Sequence, residues 1–293
     1  MDQRITVGVL GATSPVGTQV LSQLAKKGIN VIAFSRKPAL LSDKTTRWVS
    51  LSDLNVSALE SQLGTIPVWI SASPIWVMPQ HFELIAKLGG RRVVCVSSTS
   101  RFTKTTSSNP YEEQVVQKLV DGEHDLMNWA KPLGIDWTVL RPTLIYGRGN
   151  DRNLSEIIKI IKKFGFFPLF GKAEGLRQPI YVDDVAAACV QAAFSANAAD
   201  KAYNISGAEQ LSYKEMVSRV FTAMGRKPRL FTINLTIFNC ALFFLTKIPR
   251  YKNWNADMVL RMNRDMVFDH DEAGRDFGFN PKRFHLTDQD VKQ

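Results

Sequence analysis

Short apolar runs alternate with amphipathic stretches along the first half of the chain. Ile5–Leu10 is a β-branched run, a glycine-containing turn follows it, and Gly17–Lys27 has apolar residues at helical spacing. The same alternation continues, with strands predicted over Val31–Phe34, Trp48–Leu51, Val68–Ser71, Arg92–Ser97 and Trp137–Leu140, and helices over Val56–Leu63, Gln80–Leu88 and from Asn109 to about Lys131. This order is typical of an α/β protein with a doubly wound parallel sheet.

The second half of the chain is less regular. Its predicted elements are a basic amphipathic helix over Leu154–Phe164, a small-residue helix over Val185–Ala193, a strand over Ala202–Ile205, a helix over Tyr213–Met224 and a short helix and turn from Phe268 to Pro281. We therefore expect a core domain over residues 1–150 and a smaller C-terminal lobe over 151–293. Because no linker separates the two, we expect the lobe to be interleaved with the core.

An uncharged segment, Leu230–Thr246, stands out in the second half. It is short for a membrane span and contains two asparagines, so it predicts a buried or lobe-covering helix. Contact with a membrane surface through Phe238, Phe243 and Phe244 is the alternative.

Composition narrows the protein class. With 45% hydrophobic and 22% charged residues, the chain is neither disordered nor collagen-like. Its net charge of +10 is not concentrated in a tail, which favours anionic small molecules over nucleic acid. The three cysteines lie in no CxxC pair, and Cys95 and Cys189 have apolar neighbours, so a reducing cytoplasm is expected. The four histidines have no metal-ligand spacing, and the N-terminal run does not resemble a signal peptide.

The strongest motif is the turn GATSPVG at residues 11–17, between the first predicted strand and the first helix. Small residues let the backbone approach a diphosphate, and a helix N-terminus supplies N–H groups and positive potential. The spacing matches a GxxGxxG pattern whose middle glycine is Ser14. The turn predicts dinucleotide binding by Gly11, Thr13, Ser14, Pro15, Val16 and Gly17.

Three further segments carry a family resemblance: the hydroxyl run Ser97–Ser100, LRPTLIYG at residues 140–147 and QPIYVDDVA at residues 178–186. Together with the glycine turn they resemble the short-chain dehydrogenase/reductase superfamily, in its extended and atypical branches that include nucleotide-sugar epimerases and dehydratases. The resemblance implies a Rossmann-type NAD(P)-binding domain over 1–150 and a substrate lobe over 151–293. It also implies further cofactor contacts at Asp53, Leu54, Ser71, Ala72, Ser73, Pro142 and Leu144.

The choice of cofactor follows from charge at the end of the second strand. An NAD site places a carboxylate there to bind the ribose 2′-hydroxyl. This chain has Ser35 and Arg36 instead, followed by Lys37. Because a guanidinium attracts a 2′-phosphate, the sequence predicts NADP, with NAD the alternative.

The catalytic residues are less clear because the family's Tyr-x-x-x-Lys pair is absent from the sequence. Tyr111 follows Ser98 at a family-like interval, but Val115 stands where the lysine would be. A register anchored on Glu123 places Val115 and Leu119 at the tyrosine and lysine positions. Three readings follow: Tyr111 is activated by another cation such as Lys104, Lys104 works with Ser98 or Thr99, or the site binds NADP without turnover.

Candidate substrate contacts are also inferred from resemblance and charge: Asn153, Arg177, Gln178 and Arg261. Guanidinium groups suit the diphosphate of a nucleotide-sugar. Asp183 and Asp184 are expected to cap the following helix. The sequence thus predicts an NADP-dependent oxidoreductase, epimerase or dehydratase acting on a nucleotide-sugar-like or related carbonyl substrate. A non-catalytic NADP-binding sensor or assembly factor is the alternative, and a homodimer stays open.

Overall fold

A computed structural model describes residues 5–36, 45–52, 56–103, 109–148, 152–234 and 261–291, with side chains described from residues 59 and 154 in two of these ranges. The strands are β1 Thr6–Leu10, β2 Asn30–Ser35, β3 Thr46–Ser50, β4 Val68–Ser71, β5 Arg92–Val96, β6 Asp136–Pro142, β7 Ile145–Tyr146, β8 Phe167–Phe170, β9 Leu176–Arg177, β10 Ile180–Tyr181, β11 Lys201–Ile205, β12 Leu211–Ser212 and β13 Leu230–Ile233. Seven of them form one sheet in the order β11-β6-β5-β4-β1-β2-β3, and all its pairs are parallel.

Helices cover both faces of this sheet. They are α1 Pro15–Lys26, α2 Val56–Leu63, α3 Phe82–Lys87, α4 Ser100–Thr103, α5 Pro110–Ala130, α6 Arg152–Phe164, α7 Val182–Ala193, α8 Tyr213–Ala223, α9 Asp271–Phe277 and α10 Asp288–Val291. On one face, Leu24 of α1 and Cys189 of α7 share a core cluster. On the other, Trp69 of β4 packs with Ile85 of α3 and Leu126 of α5. The predicted doubly wound Rossmann-type architecture is confirmed.

Local sequence explains where the helices begin. Ser14 caps α1, and Pro15 occupies the first turn, where a missing N–H costs nothing. Asn109 caps α5 in the same way: its side-chain oxygen accepts from the Tyr111 N–H at 3.0 Å, and Pro110 follows. The predicted start of α5 at Asn109-Pro110 is therefore confirmed.

A second core lies away from the large sheet and forms the smaller lobe. Ile158 of α6 and Val220 of α8 pack there with Phe167 and Phe284. The parallel pair of β8 and β13 borders this cluster. Although α7 and β11 follow residue 151 in sequence, they pack with the large sheet. A division near residue 150 stays a prediction.

Two predicted helices differ from the structure. The expected helix over Leu230–Thr246 is wrong at its start, because Leu230–Ile233 is strand β13, hydrogen-bonded to β8. An uncharged run carries no periodic signal, and an available strand edge decided its conformation. Residues 235–246, with Phe238, Phe243 and Phe244, lie outside the described residues. The helix expected over Gln80–Leu88 begins as a 3₁₀ helix over Ile75–His81, with Pro79 inside it, before α3.

Two of the cysteines bear out the sequence interpretation of core thiols. Cys95 and Cys189 are free and buried, and burial raises the pKa of both, that of Cys189 to about 12. Cys240 lies outside the described residues. Across the part of the chain that the structure describes, no helix is both long enough and apolar enough to span a bilayer.

Candidate cofactor and substrate site

The turn between β1 and α1 is built on two glycines and one serine. Gly11 has a φ of +67°, which favours glycine. A side chain at Gly17 would place its Cβ 2.2 Å from the Gly11 carbonyl oxygen. Ser14 accepts a hydrogen bond from the Gly17 N–H at 3.0 Å, so the residue that replaces the middle glycine is the helix N-cap. Because neither glycine has a side chain, the main chain at Gly11 packs directly against the main chain at the N-terminus of α1.

This turn fits a dinucleotide diphosphate. The first-turn N–H groups of a helix have no partner within it, and their dipoles attract anions. Thr13 and Pro15 are exposed beside them, and Ala12 and Gly17 are buried beneath. The Ser14 hydroxyl also lies 3.3 Å from the Ala72 carbonyl oxygen, which joins the turn to the loop after β4. Small groups thus surround an anion-attracting helix end.

The end of β2 lies beside the same turn. The hydroxyls of Ser35 and Thr13 are 3.4 Å apart, and Ser35 is buried. Arg36 follows with an exposed side chain, and its carbonyl oxygen accepts from the Ser52 hydroxyl at 3.0 Å. The structure therefore brings Ser35 and the turn together and leaves the Arg36 guanidinium at the surface. Lys37, Asp53 and Leu54 lie outside the described residues.

The residues at and after the end of β4 differ in burial. Ala72 and Ser73 are half-buried against the turn, and a Cβ at Gly11 would lie 2.6 Å from the Ser73 nitrogen. Ser71 is fully buried, and its hydroxyl has no hydrogen-bond partner among the described residues. Of the three predicted cofactor residues on this loop, Ala72 and Ser73 thus lie where a ligand at the turn would meet them.

The hydroxyls of the run after β5 have different hydrogen-bond partners. The Ser97 hydroxyl donates to Glu123 at 2.5 Å, and the Thr99 hydroxyl donates to the Pro142 carbonyl oxygen at 3.1 Å. The Ser98 oxygen instead accepts from the Ser100 N–H at 3.1 Å. An accepting hydroxyl keeps its own proton to donate. Ser98, which is half-buried, is therefore the best placed of the three to meet a substrate oxygen.

Beneath this run lies an ionic cluster that sequence reasoning missed. Glu123 is 1% exposed and forms ion pairs with Arg101 and Arg141, the second at 2.6 Å. Both guanidinium groups also lie over the ring of Phe102, at 5.1 and 5.4 Å from its centroid. The available signal was Arg141 within the apolar strand β6, since a buried arginine needs an anionic partner.

The two catalytic candidates on or near α5 are not assembled as the family's pair. Tyr111 is 68% exposed on the first turn of the helix. Leu119, at the lysine position in the register anchored on Glu123, is buried in the core with Leu126. Neither register is tested by these contacts, and both stay predictions. Lys104 lies outside the described residues.

Pro142 is the last residue of β6, and Leu144 lies between β6 and β7, beside the hydroxyl run. The Pro142 carbonyl oxygen accepts from both the N–H and the hydroxyl of Thr99. The Leu144 carbonyl oxygen accepts from the Ile180 N–H at 2.9 Å. Their side chains are buried and half-buried respectively, so a cofactor contact there stays a prediction.

The predicted substrate contacts have structural partners. Arg177 is 5% exposed, and its guanidinium donates to the main-chain carbonyls of Leu176, Arg261 and Arg264. Burial lowers its pKa. Arg177 therefore holds the segment that contains Arg261 and Arg264 through its main-chain carbonyls, and a diphosphate contact of Arg177 stays a prediction.

The other three substrate candidates are spread over the lobe. Gln178 is buried, donating to the Gly207 carbonyl oxygen at 3.2 Å and accepting from the Phe268 N–H at 2.9 Å. Arg261 forms an ion pair with Glu112 at 2.6 Å. The side chain of Asn153, at the start of α6, lies outside the described residues.

The expectation that Asp183 and Asp184 cap a helix is wrong. The helix begins at Val182, three residues earlier than predicted, which places both aspartates inside its first turn. Asp183 binds the Arg148 guanidinium at 2.9 and 3.0 Å. Asp184 accepts from the Lys282 N–H at 2.9 Å, and burial raises its pKa. Both carboxylates therefore hold distant segments together.

A cavity of about 390 Å³ lies on the lobe side of the sheet edge. Gln178, Gln210, Phe268 and His270 are among its lining residues. The Phe268 ring lies 6.0 Å from that of Phe102, which links the cavity to the ionic cluster. Of its lining residues, the sequence analysis named only Gln178 as a substrate contact, and it treated residues 268–281 as a short helix and turn.

Comparisons with known proteins agree with this geometry. A family model described as NAD(P)H-binding matches residues 11–196. Subunit 9 of the NADH dehydrogenase [ubiquinone] 1 alpha subcomplex, a mitochondrial protein of Arabidopsis thaliana, is 30% identical over 117 residues. That match covers 38% of this chain and only 29% of the relative.

Solved structures match nearly the whole chain. The UDP-glucuronic acid 4-epimerase of Bacillus cereus in complex with NAD aligns with a TM-score of 0.70 at 15% identity, covering 98% of this chain and 94% of that one. The UDP-glucose 4-epimerase of Thermotoga maritima aligns with a TM-score of 0.67 at 16% identity and covers 94% of each chain. At such identities the likeness shows the fold alone.

The family match covers the glycine turn, the hydroxyl run and α7. It therefore spans the elements that build the cofactor end of the site. The chain belongs to this NAD(P)H-binding family.

Proposed function

We propose that the chain is an NADP(H)-dependent oxidoreductase, epimerase or dehydratase acting on a nucleotide-sugar-like or related carbonyl substrate. The observation that carries the proposal is the shared edge of β1 and β5. Only β4 lies between β1 and β5 in the sheet. The turn at Gly11 and the hydroxyl of Ser98 therefore lie at the same edge of the sheet, about 10 Å apart. Ligands of open α/β sheets bind at this edge.

The proposed roles follow from the contacts. Thr13 to Gly17 line the diphosphate, and the main-chain N–H groups of Thr13 and Val16 donate to it, because Pro15 has none and that of Gly17 donates to Ser14. Ser35 with Arg36 binds the 2′-phosphate. NADP(H), when bound, supplies or accepts the hydride. Ser98 donates its proton to an oxygen atom of the substrate. Glu123 and its arginines hold the hydroxyl run in position through Ser97.

The substrate side of the proposal uses the cavity beside Gln178. Its amide, imidazole and aromatic groups, with the carboxylates of Asp269 and Asp271, suit the hydroxyls of a sugar ring, so the phosphates of the substrate are proposed to lie outside it. The two solved epimerases act, by their names, on UDP-sugars, which supports an anionic sugar nucleotide for a chain of net charge +10. Asn153 and Arg261 stay the proposed polar contacts, and Arg261 would exchange its Glu112 partner for a phosphate. The cytoplasm is the proposed compartment.

A second candidate is a non-catalytic NADP(H)-binding sensor or assembly factor. The observation that favours it is the loss of the family's proton-transfer pair, with Leu119 in the core and Tyr111 facing solvent. The similarity to a named subunit of NADH dehydrogenase points the same way. Cofactor binding is common to both candidates, and turnover separates them.

The first test concerns the cofactor. We expect NADPH to bind more tightly than NADH, and Arg36→Ala to weaken NADPH binding by about 1.5–3 kcal/mol, because a charge-assisted hydrogen bond to the 2′-phosphate is lost. Calorimetric titration measures both affinities. The control is Arg91→Ala, an exposed arginine next to the opposite end of β5. Equal affinity of the unmodified protein for the two cofactors would contradict the assignment.

The second test concerns the proton donor. A screen of sugar nucleotides with NADP(H) should reveal turnover that Ser98→Ala lowers by about 100-fold or more, because general acid–base catalysis contributes that much. Thr99→Val and Lys104→Met complete the set, and Tyr111→Phe should retain activity.

Loss of turnover in Tyr111→Phe alone would restore a tyrosine mechanism. A chain that binds NADPH tightly, yet turns over none of the sugar nucleotides, would favour the non-catalytic candidate.

A further inference from the structure

Three exposed phenylalanines form one surface patch on the smaller lobe. Phe164, Phe166 and Phe231 are 56%, 40% and 68% exposed. The rings of Phe164 and Phe166 are 6.1 Å apart, and those of Phe166 and Phe231 are 6.0 Å apart. Scattered exposed apolar residues are normal, but a contiguous group indicates contact with a partner or a membrane. We refer to these three residues as the aromatic patch.

The aromatic patch lies on a rigid support. Strands β8 and β13 pair in parallel, with Leu230 opposite Phe167. Phe167 is buried and Leu230 half-buried in the lobe core, while Phe166 and Phe231 alternate to the outside. The exposure of Phe231 is thus set by strand register, while Phe164 is the last residue of α6 and Phe166 directly precedes β8.

Positive charge lies next to the aromatic patch along the chain. The Lys163 ammonium lies 5.1 Å from the centroid of the Phe164 ring. Lys227 and Arg229, just before β13, are also exposed. No aspartate or glutamate occurs in the sequence between Glu156 and Glu174 or between Glu215 and Asp257. The surface next to the patch is therefore cationic.

We propose that the aromatic patch docks this protein on the surface of a membrane that contains anionic phospholipid. Phenylalanine side chains insert at the boundary between headgroups and acyl chains, and lysine and arginine bind the lipid phosphates. Apolar groups next to cations match this layered chemistry. The contact lies on the surface, in keeping with the lack of a spanning helix among the described residues. It is independent of the proposed reaction.

The test is sedimentation of the full chain with vesicles of phosphatidylcholine alone or of phosphatidylcholine with about 30% phosphatidylglycerol. We expect binding to the anionic vesicles only, and weaker binding at high salt. Phe164→Ser/Phe231→Ser should lower the partition coefficient by about tenfold or more. The matched control, Leu133→Ser/Phe194→Ser, removes two apolar side chains of 54% and 44% exposure from elsewhere and should not change it.

A charge-reversal pair tests the cationic part. Lys163→Glu/Lys227→Glu should weaken binding by about 25-fold or more, at about fivefold for each lysine removed. Lys26→Glu/Lys27→Glu makes the same change in net charge on α1 and should have a much smaller effect. Equal losses of vesicle binding in the two double variants would mean that net charge alone attracts the protein to the vesicles, which would overturn the proposal.

A site-directed fluorophore gives a second readout that does not depend on the stability of the serine variants. In a Cys240→Ser background, an environment-sensitive dye on Phe231→Cys should shift to the blue with anionic vesicles, and the dye on Phe194→Cys should not. No shift at either position, or a shift at Phe231→Cys that depends on protein concentration without lipid, overturns the proposal. The second result would identify another copy of the chain as the occupant.

Discussion

Glu123 shows how much one side chain contributes to the candidate site. It is nearly inaccessible to solvent, and its two oxygens accept hydrogen bonds from Ser97, Arg101 and Arg141. Ser97 precedes Ser98, so the carboxylate fixes the strand end that carries the proposed proton donor. Removing one member of a buried ion pair leaves the other members charged without a partner.

We therefore expect Glu123→Gln to lower the free energy of unfolding by about 3–5 kcal/mol, the usual cost of breaking a buried pair. The amide keeps the shape of the side chain but not its charge. Urea denaturation measures the change, with Glu113→Gln on the exposed face of α5 as the control, which should change stability by less than about 0.5 kcal/mol. A loss as small as that of the control would mean that the cluster contributes little to stability.

For single residues, the sequence predicts the kind of interaction that a side chain makes better than it predicts the group that the side chain binds. Ser14 was expected at the cofactor turn, and it lies there as the cap of α1. Arg177 was expected to meet a diphosphate, yet it binds main-chain carbonyls. A guanidinium recognises either partner, and only the fold decides which is near. Glu123 was used as a register mark, because nothing local shows that Arg101 and Arg141 converge on it.

Among the elements, the strands of the large sheet were predicted best. β4 matches its expected bounds, and β1 and β5 differ by one residue, because a strand buried on both faces is a continuous apolar run between polar turns. Caps fixed the start of α5 equally well. β13 was missed because its conformation depends on pairing with β8, more than 60 residues earlier in the chain, which no local pattern contains.

The whole molecule joins early and late parts of the chain in one core. α1 packs against α7, with Val20 and Val185 in the same cluster, and β11 completes the sheet next to β6. The Gln23 side chain donates to the Asp183 carbonyl oxygen at 2.8 Å across 160 residues. Residues 1–150 therefore lack α7, which covers β4, β5 and β6 on the face that α1 shares.

We expect a fragment of residues 1–150 to bind a hydrophobic dye and to unfold without a cooperative transition, since the surfaces of α1 and of the sheet that α7 covers would face water. Calorimetry and dye fluorescence measure this, with the full chain as the reference. Adding residues 151–293 in trans should restore part of the transition. A monomeric fragment that unfolds cooperatively and binds NADPH would show that the division near residue 150 separates independent domains.

The packing of α1 against α7 is delayed during synthesis of the chain. At about 5–20 residues per second, a ribosome takes roughly 8–30 s to extend the chain by the 160 residues that separate Gln23 from Asp183. During that interval the side of α1 that packs on α7 lacks this neighbour. We therefore expect the nascent chain to bind chaperones that hold exposed apolar helices until α7 has been translated.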